Sequence, residues 1–245
     1  MWWMVGAALG AELLHEGSVW TTELAQLSLH ERATGPAVAI DVHVRTNTHS
    51  GWLAIVRPAV GWDVGRGWSV WGGYGWISSF AAGGAVQTEH RAWEQALGVM
   101  KVDRVSLGVR LRFEQRVKVD AAAIGLRGRL WGRLAVDLVG PLFAVVTDEL
   151  FVGLNDAEWA PQGFDQNRAF VGVGLKASEP FRVEAGYLNV YLDRAADSML
   201  HGASLSVAWI GRVQTKRGAE PPAGEPDAAS AEPAPEISGS GSAAR

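Results

Sequence analysis

The sequence predicts an all-β protein, a single closed antiparallel up-and-down transmembrane β-barrel of about ten to twelve strands. Three observations predict it: apolar and polar residues alternate along most of the chain, the alternating segments are long, and short and long connections follow one another. No segment has a convincing helical pattern that could supply a second layer against the apolar faces of such strands.

The alternation is clearest at residues 104–117. One side of this segment carries arginines, Glu114 and small residues, whereas the other side is entirely apolar. A strand sends successive side chains to opposite faces, and a helix would mix the two sets. The apolar set is Val105, Leu107, Val109, Leu111, Phe113 and Val117.

The alternating segments are long enough to cross a bilayer. A tilted strand needs about nine to eleven residues for that span, whereas strands of soluble proteins usually have five or six. Eleven segments qualify. A twelfth strand within residues 2–14 would restore the even number typical of bacterial barrels, so twelve is favoured. The eleven segments are 18–31, 36–47, 52–64, 68–79, 87–98, 103–118, 123–138, 142–153, 166–177, 181–192 and 201–213.

Connections of two lengths alternate along the chain, as in barrels with one periplasmic and one external rim. Tight connections are predicted near 33–35, 65–67, 99–101, 140–141 and 178–180. Mostly longer ones are predicted near 48–50, 80–86, 119–122, 154–164 and 194–200.

Composition excludes several classes of function. The 245 residues include no cysteine, which rules out disulfide frameworks, thiol nucleophiles and thiolate metal sites. The net charge of -4 argues against a nucleic-acid partner, which needs a basic surface. Residues 67–88 carry no charge, but six glycines make them a poor transmembrane helix.

The two ends differ from the body, which is predicted to be residues 15–217. Residues 1–14 resemble the apolar core of a signal sequence without its basic start, and they are equally compatible with a first strand. Residues 218–245 are rich in Pro, Ala, Glu and Ser and are predicted to be a disordered acidic tail.

Six blocks spread along the body of the chain form a recognisable set. The blocks are TEHRAWEQ (88–95), VRLRFEQR (109–116), LRGRLWGRL (126–134), DELFVGLN (148–155), FDQNRAFVGVG (164–174) and EAGYLNVY (184–191). In this order and spacing they resemble the bacterial family catalogued as domain of unknown function 2490, whose members look like outer-membrane barrels, over about residues 18–213. The resemblance implies a secreted, membrane-embedded barrel in the bacterial outer membrane and implies no activity.

The polar face predicts a cationic lumen. Eleven arginines are expected to face inward against six carboxylates, although residues 1–217 are neutral as a whole. Two interpretations stay open: a network of ion pairs that fills and stiffens a narrow barrel, or a constriction that attracts a small anionic solute. The predicted residues are Asp41, Arg45, Glu89, Arg91, Arg104, Arg110, Arg112, Glu114, Arg116, Arg127, Arg129, Arg133, Asp137, Glu149, Arg168, Arg182 and Glu184.

Enzymatic chemistry has little support in the sequence. The six histidines form no recognised metal spacing, and strand parity separates His201 from Ser204 and Ser206. We therefore expect no catalytic residue, metal or cofactor, and outer-membrane lipid as the principal partner. The alternatives are a membrane-embedded hydrolase or acyltransferase acting on lipid, and a soluble, lipocalin-like binding barrel. The sequence does not specify an oligomeric state.

Overall fold

The computed structural model describes residues 14–47, 51–160, 162–193 and 197–213. These residues form eleven strands. None of the described residues forms a helix long and apolar enough to span a membrane. The strands are β1 (Leu14–Ser28), β2 (Gly35–Asn47), β3 (Gly51–Gly65), β4 (Trp68–Phe80), β5 (Val86–Val102), β6 (Val105–Lys118), β7 (Gly125–Asp137), β8 (Leu142–Gly153), β9 (Gly163–Ser178), β10 (Phe181–Leu192) and β11 (Ser198–Arg212).

The strands close into a barrel in sequence order, which confirms the predicted fold class. Every consecutive pair is antiparallel, whereas β1 and β11 pair in parallel, from Leu14 with Ser198 to Ser28 with Arg212. An odd number of alternating strands makes the first and last run in the same direction, so the closing pair must be parallel. The count lies within the predicted range and one below the favoured twelve. Residues 2–13, proposed as a twelfth strand, lie outside the described residues, as does the predicted tail at 218–245.

The two rims of the barrel differ in the length of their connections. The tight-turn rim carries the connections 29–34, 66–67, 103–104, 138–141 and 179–180. The long-loop rim carries 48–50, 81–85, 119–124, 154–162 and 193–197, of which residues 48–50, 161 and 194–196 lie outside the described residues. Strand β1 begins at the long-loop rim, and β11 ends at the tight-turn rim.

One tight turn lies later in the chain than predicted. The turn expected at 99–101 is instead formed by residues 103 and 104, because β5 continues to Val102 and pairs with Val105. Asp103 has a φ of 50°, and Asp is among the few residues that adopt this conformation readily. Arg104 is therefore a turn residue and is exposed, rather than a strand residue facing the lumen.

Every strand carries at least one large apolar side chain on the outer face of the barrel. Such side chains alternate with inward-facing ones, and a representative on each strand is between 44% and 68% exposed. The inward side holds most of the arginines and their carboxylate partners, several of them less than 10% exposed. Representative outward residues, one for each strand from β1 to β11, are Val19, Ile40, Val60, Val70, Met100, Leu111, Leu130, Val146, Val173, Tyr187 and Leu205.

Glycines opposite aromatic residues give the lumen room for large rings. Gly73 pairs with Trp93 and Gly174 pairs with Phe143 on neighbouring strands. A Cβ atom at either glycine would overlap the ring of its partner. The aromatic ring thus covers the backbone of the adjacent strand, and the glycine is required for that close approach.

Candidate functional site in the barrel lumen

Glu114 on β6 is the centre of a buried charge network. It is 1% exposed, and its Oε2 accepts hydrogen bonds from Nη2 and Nε of Arg127 at 2.6 and 3.0 Å. Its Oε1 accepts from Nη1 of Arg129 at 2.5 Å. Strands β6 and β7 place these side chains together because their inward residues alternate in register. Both oxygens of the buried carboxylate are thereby neutralised by arginines.

Glu149 on β8 extends the network by one strand. Its Oε1 accepts hydrogen bonds from Nη2 and Nε of Arg129 at 2.7 and 2.9 Å. The same oxygen accepts from Nη2 of Arg110 at 2.5 Å. Arg129 thus bridges two carboxylates on two different strands, with all three nitrogens of its planar guanidinium donating.

Two smaller groups of ion pairs flank this centre. Glu89 accepts hydrogen bonds from Nε and Nη2 of both Arg91 and Arg116, at 2.6 to 3.2 Å. Glu184 accepts two hydrogen bonds from Arg133, at 2.8 and 2.9 Å, across the lumen from β7 to β10. The Glu89 group joins the neighbouring strands β5 and β6, whereas the pair of Arg133 with Glu184 connects two strands that are not neighbours and so stiffens the cross-section of the barrel.

Arg57 belongs to the network although the sequence analysis did not select it. Its Nε donates to Asp41 at 2.7 Å, and its Nη2 donates to Nε2 of His43 at 2.5 Å. The alternation of side chains along the strand could have identified Arg57 as a lumen residue, because β3 directs Ile55, Arg57 and Ala59 to the same side. Apart from Asp63 near its end, the inner side of β3 is otherwise apolar or small, so the two faces of this strand look alike in most of its sequence.

Asp165 is the second network residue that the sequence analysis did not select. The pairing of β8 with β9 shifts between Phe151 and Val152, which leaves Asp165 as an extra residue opposite this step. A bulge of this kind can turn two successive side chains to one side, and Asp165 and Gln166 are both buried. Nη1 of Arg127 donates to Asp165 at 3.1 Å.

Three predicted lumen residues lie away from the centre. Asp137 ends β7 near the tight-turn rim, where Lys176 and Lys101 donate to it at 2.6 and 3.0 Å. Arg182 is exposed at the start of β10, and Arg104 is exposed in its turn. The other fourteen predicted residues face the lumen.

Arg45 and Arg168 differ from the other lumen arginines in their partners. No carboxylate oxygen of the described residues lies within 4.0 Å of either guanidinium, and Nε of each is buried without a hydrogen bond. Both lie over the indole ring of Trp20, at 4.0 and 5.0 Å from its centroid. Within the described part of the chain, the side chain of Arg168 donates to Gln166 alone, at 3.3 Å. Cation–π contact with a shared ring therefore replaces ion pairing here.

A cavity of about 390 Å³ lies inside the barrel on the tight-turn side of these two arginines. Seven arginines and three carboxylates line it, so its wall carries an excess of positive charge. The remaining wall is largely aromatic and aliphatic. The charged lining residues are Asp41, Arg45, Arg57, Arg110, Arg112, Arg129, Arg133, Glu149, Arg168 and Glu184.

The histidines on the outer face make local contacts only. Nδ1 of His90 is hydrogen-bonded to the hydroxyl of Tyr74, and Nδ1 of His201 to the hydroxyl of Tyr187 at 2.5 Å. Ser204 and Ser206 line the lumen cavity, on the opposite side of β11 from His201. Within the described ranges, no group of three or more His, Asp and Glu residues is arranged to hold a metal ion.

Comparison with known proteins gives the family. The sequence pattern of the family described as "Protein of unknown function (DUF2490)" matches residues 17–201. The chain belongs to this family. The DUF2490 chain is also 32% identical over 191 residues to an uncharacterized protein of Methylorubrum extorquens, an alignment that covers 75% of this chain and 82% of that protein. No solved structure matches the chain.

The DUF2490 match confirms the resemblance and includes the whole network. Each of the six blocks that carried the resemblance supplies at least one of its charged residues. Block 109–116 supplies Glu114, block 126–134 supplies Arg127 and Arg129, and block 164–174 supplies Asp165 and Arg168. The arginine-rich lumen is therefore formed by the part of the chain that identifies the family.

Proposed function

We propose that this DUF2490 protein is an integral barrel of a bacterial outer membrane whose narrow lumen attracts small anions. The observation that carries the proposal is the distribution of side chains. Large apolar residues lie on the outside of every described strand, and paired and unpaired arginines fill the inside. A water-soluble binding barrel has the reverse distribution, with apolar residues inside and a wet exterior.

The dimensions of the strands support a membrane location. The described strands have 12 to 17 residues, more than the nine to eleven that cross a bilayer when tilted. Closure leaves no strand with unpaired backbone groups at an edge, which is the condition for strands in hydrocarbon.

The outer face also carries carboxylates, and two of them are paired with amides. Glu94 accepts a hydrogen bond from Gln115 at 3.1 Å, and Asp148 accepts from Asn167 at 3.0 Å. Acidic residues on the lipid side of a barrel cost less than arginine or lysine, and the cost depends on depth. A hydrogen-bonded amide further reduces the cost of desolvating the carboxylate.

The charge of the lumen supports attraction of anions. Arg57, Arg110, Arg129 and Arg133 are each paired with a carboxylate of the cavity, whereas Arg45 and Arg168 are not. Clustered positive charge between walls of low dielectric constant raises the local concentration of anions. The paired arginines of the cavity also belong to the network that stiffens the barrel, so these cavity residues serve both the structure and the attraction of anions.

Conductance in a salt gradient tests the proposal. We expect the full chain in a planar bilayer to conduct weakly. In the salt gradient, the sign of its reversal potential should indicate that anions permeate more readily than cations. Arg45→Gln should move the reversal potential towards zero, whereas Arg66→Gln, an exposed turn residue outside the lumen, should leave it unchanged. Preference for cations, or no conductance at all, would contradict an anion-attracting path.

Two measurements address the alternative functions. A soluble barrel would need no detergent for extraction and would show no heat-modifiable shift in gel mobility. A lipid hydrolase that uses serine would react with a covalent serine probe. We expect extraction to require detergent and no serine to be labelled, since Ser204 and Ser206 lie on the other side of β11 from His201.

A further inference from the structure

We infer that the lumen cavity is a binding site for an organic anion, with its acidic head at Arg45 and Arg168 and its apolar body along the aromatic wall. The inference rests on the proposed function in that it assumes an anion can enter the lumen. It goes beyond that proposal by assigning one site and one chemical class, a carboxylate, sulfonate or phosphate joined to an apolar body.

Arg45 and Arg168 form the part of the site that would hold the acidic head. Both lie over Trp20, neither has a carboxylate oxygen among the described residues within 4.0 Å, and each has a buried Nε without a hydrogen-bond partner. Two guanidinium groups on one ring repel each other, and an anion between them would offset this repulsion. It would also supply acceptors for donors that now have none.

Arg112 offers a further donor on the same cavity. Its side chain is buried, at 5% exposed, and its Nε and Nη2 donate to the neutral Oε1 of Gln95 at 2.9 and 2.6 Å. Its Nη1 has no hydrogen bond and lies 3.8 Å from Oε1 of Glu114, whose stronger contacts are with Arg127 and Arg129. A buried guanidinium that is bonded mainly to an amide adds uncompensated positive charge to the cavity.

The apolar part of the cavity wall indicates that the ligand has an apolar body in addition to its acidic head. Leu24, Leu97, Trp71 and Trp131 line it together with Phe170 and Leu188, so a small inorganic anion would leave this surface without contact. Pockets that bind organic ligands combine such walls with a few polar groups that fix orientation. The volume of about 390 Å³ is sufficient for an anion with a short acyl or aromatic body.

The order of the cavity-lining residues along β1 indicates how a bound ligand would be oriented. Trp20, Thr22, Leu24 and Gln26 line the cavity in succession towards the tight-turn rim. Trp20, with the two arginines, is at the end nearer the long loops, and Leu24 lies beyond it. A ligand entering from the tight-turn rim would therefore place its acidic head deepest.

Binding of octanoate to the full chain in phosphatidylcholine vesicles tests the inference. Trp20, Trp71, Trp93 and Trp131 line the cavity, so their fluorescence reports occupancy. We expect saturable binding of octanoate at pH 7, at least tenfold weaker binding of acetate, and no saturable binding of octyltrimethylammonium. Arg45→Gln and Arg168→Gln should each weaken octanoate binding by about tenfold, as expected for loss of a charge-assisted contact.

Arg116→Gln is the matched control, because Arg116 is also a lumen arginine but does not line the cavity and leaves Glu89 paired with Arg91. Its octanoate affinity should stay within about twofold of that of the unchanged chain. A signal that rises linearly with octanoate, or equal affinities in all three variants, would overturn the inference. Acetate binding as tightly as octanoate would also overturn it while leaving an anion-attracting lumen in place. A bilayer recording without any conductance, together with saturable octanoate binding, would contradict the proposed conduction of anions and leave the binding site in place.

Discussion

Glu114 is the residue whose surroundings best explain the chemistry of the lumen. Its carboxylate is almost fully buried and contacts Arg127 and Arg129 directly, with Arg91 and Arg112 within 4.0 Å. Burial of one carboxylate is costly unless its charge is compensated, and here the compensation exceeds one positive charge. Arg91, Arg127 and Arg129 each pair with a second carboxylate as well, so the buried charge at this point is shared across the network.

Replacing Glu114 with Gln keeps the shape of the side chain and removes its charge. Arg127 and Arg129 would then lose the carboxylate that they share, and we expect the free energy of unfolding to fall by about 3–5 kcal/mol. Glu94→Gln is the matched control on the outer face, with an expected change within about 0.5 kcal/mol. Urea unfolding of both variants in lipid vesicles measures the difference. Equal stabilities would show that the lumen charges are hydrated and independent.

Most lumen residues could be predicted from the alternation of inward and outward side chains along each strand, and the exceptions have local causes. Arg110, Arg112, Glu114 and Arg116 alternate with apolar residues on a single regular strand, so the sequence assigns their side correctly. Asp165 faces inward because of a bulge, which shifts parity by one residue. Such a bulge leaves no clear pattern in the sequence, because it depends on pairing with β8.

Strand ends were the least predictable elements. The sequence suggested a turn at 99–101, where a glycine precedes Val99, yet β5 continues to Val102. The turn depends on the positive φ of Asp103, and several neighbouring residues could satisfy the apolar pattern equally well. As a result, Arg104 was predicted to face the lumen, whereas it lies in the turn at the rim.

Contacts between glycines and aromatic rings set the fit between neighbouring strands. Gly174 on β9 is covered by the ring of Phe143 on β8, and a methyl group at Gly174 would overlap that ring. We expect Gly174→Ala to lower the free energy of unfolding by about 1–3 kcal/mol, as is usual for overpacking.

Gly132→Ala is the control for this substitution, because no atom lies within 4 Å of a Cβ built at Gly132. It should be neutral or slightly stabilising, since alanine restricts the unfolded chain more than glycine does. Urea unfolding of the two variants side by side provides the comparison. A Gly174→Ala variant as stable as Gly132→Ala would mean that Phe143 is free to move away.

At the scale of the whole molecule, closure between β1 and β11 is the feature that the sequence could not specify. Parity and turn lengths gave eleven strands, and the preference for an even number suggested one more. The parallel pairing joins residues far apart in sequence, such as Thr21 and Leu205, and no local pattern indicates it. Without that contact, the sequence predicts only a range of about ten to twelve strands, with twelve favoured.

A disulfide across the closing pair distinguishes eleven strands from twelve. The chain has no cysteine, so the double variant Thr21→Cys with Leu205→Cys contains a single possible bridge. These two residues are partners on adjacent strands, at a spacing that a disulfide can span, and we expect the bridge to form under mild oxidation. Thr21→Cys with Val173→Cys, two strands further along, should not cross-link. A strand inserted between β1 and β11 would abolish the first bridge.

The central claim is that the outward side chains of this barrel contact lipid. The most direct measurement compares single cysteines at Leu111, in the middle of β6, and at Val139, in a tight turn, in native membranes. We predict that a water-soluble maleimide labels Val139→Cys and that only a lipophilic maleimide labels Leu111→Cys. Rapid labelling of Leu111→Cys by the water-soluble reagent in intact membranes would show that this face is in water and would contradict the account.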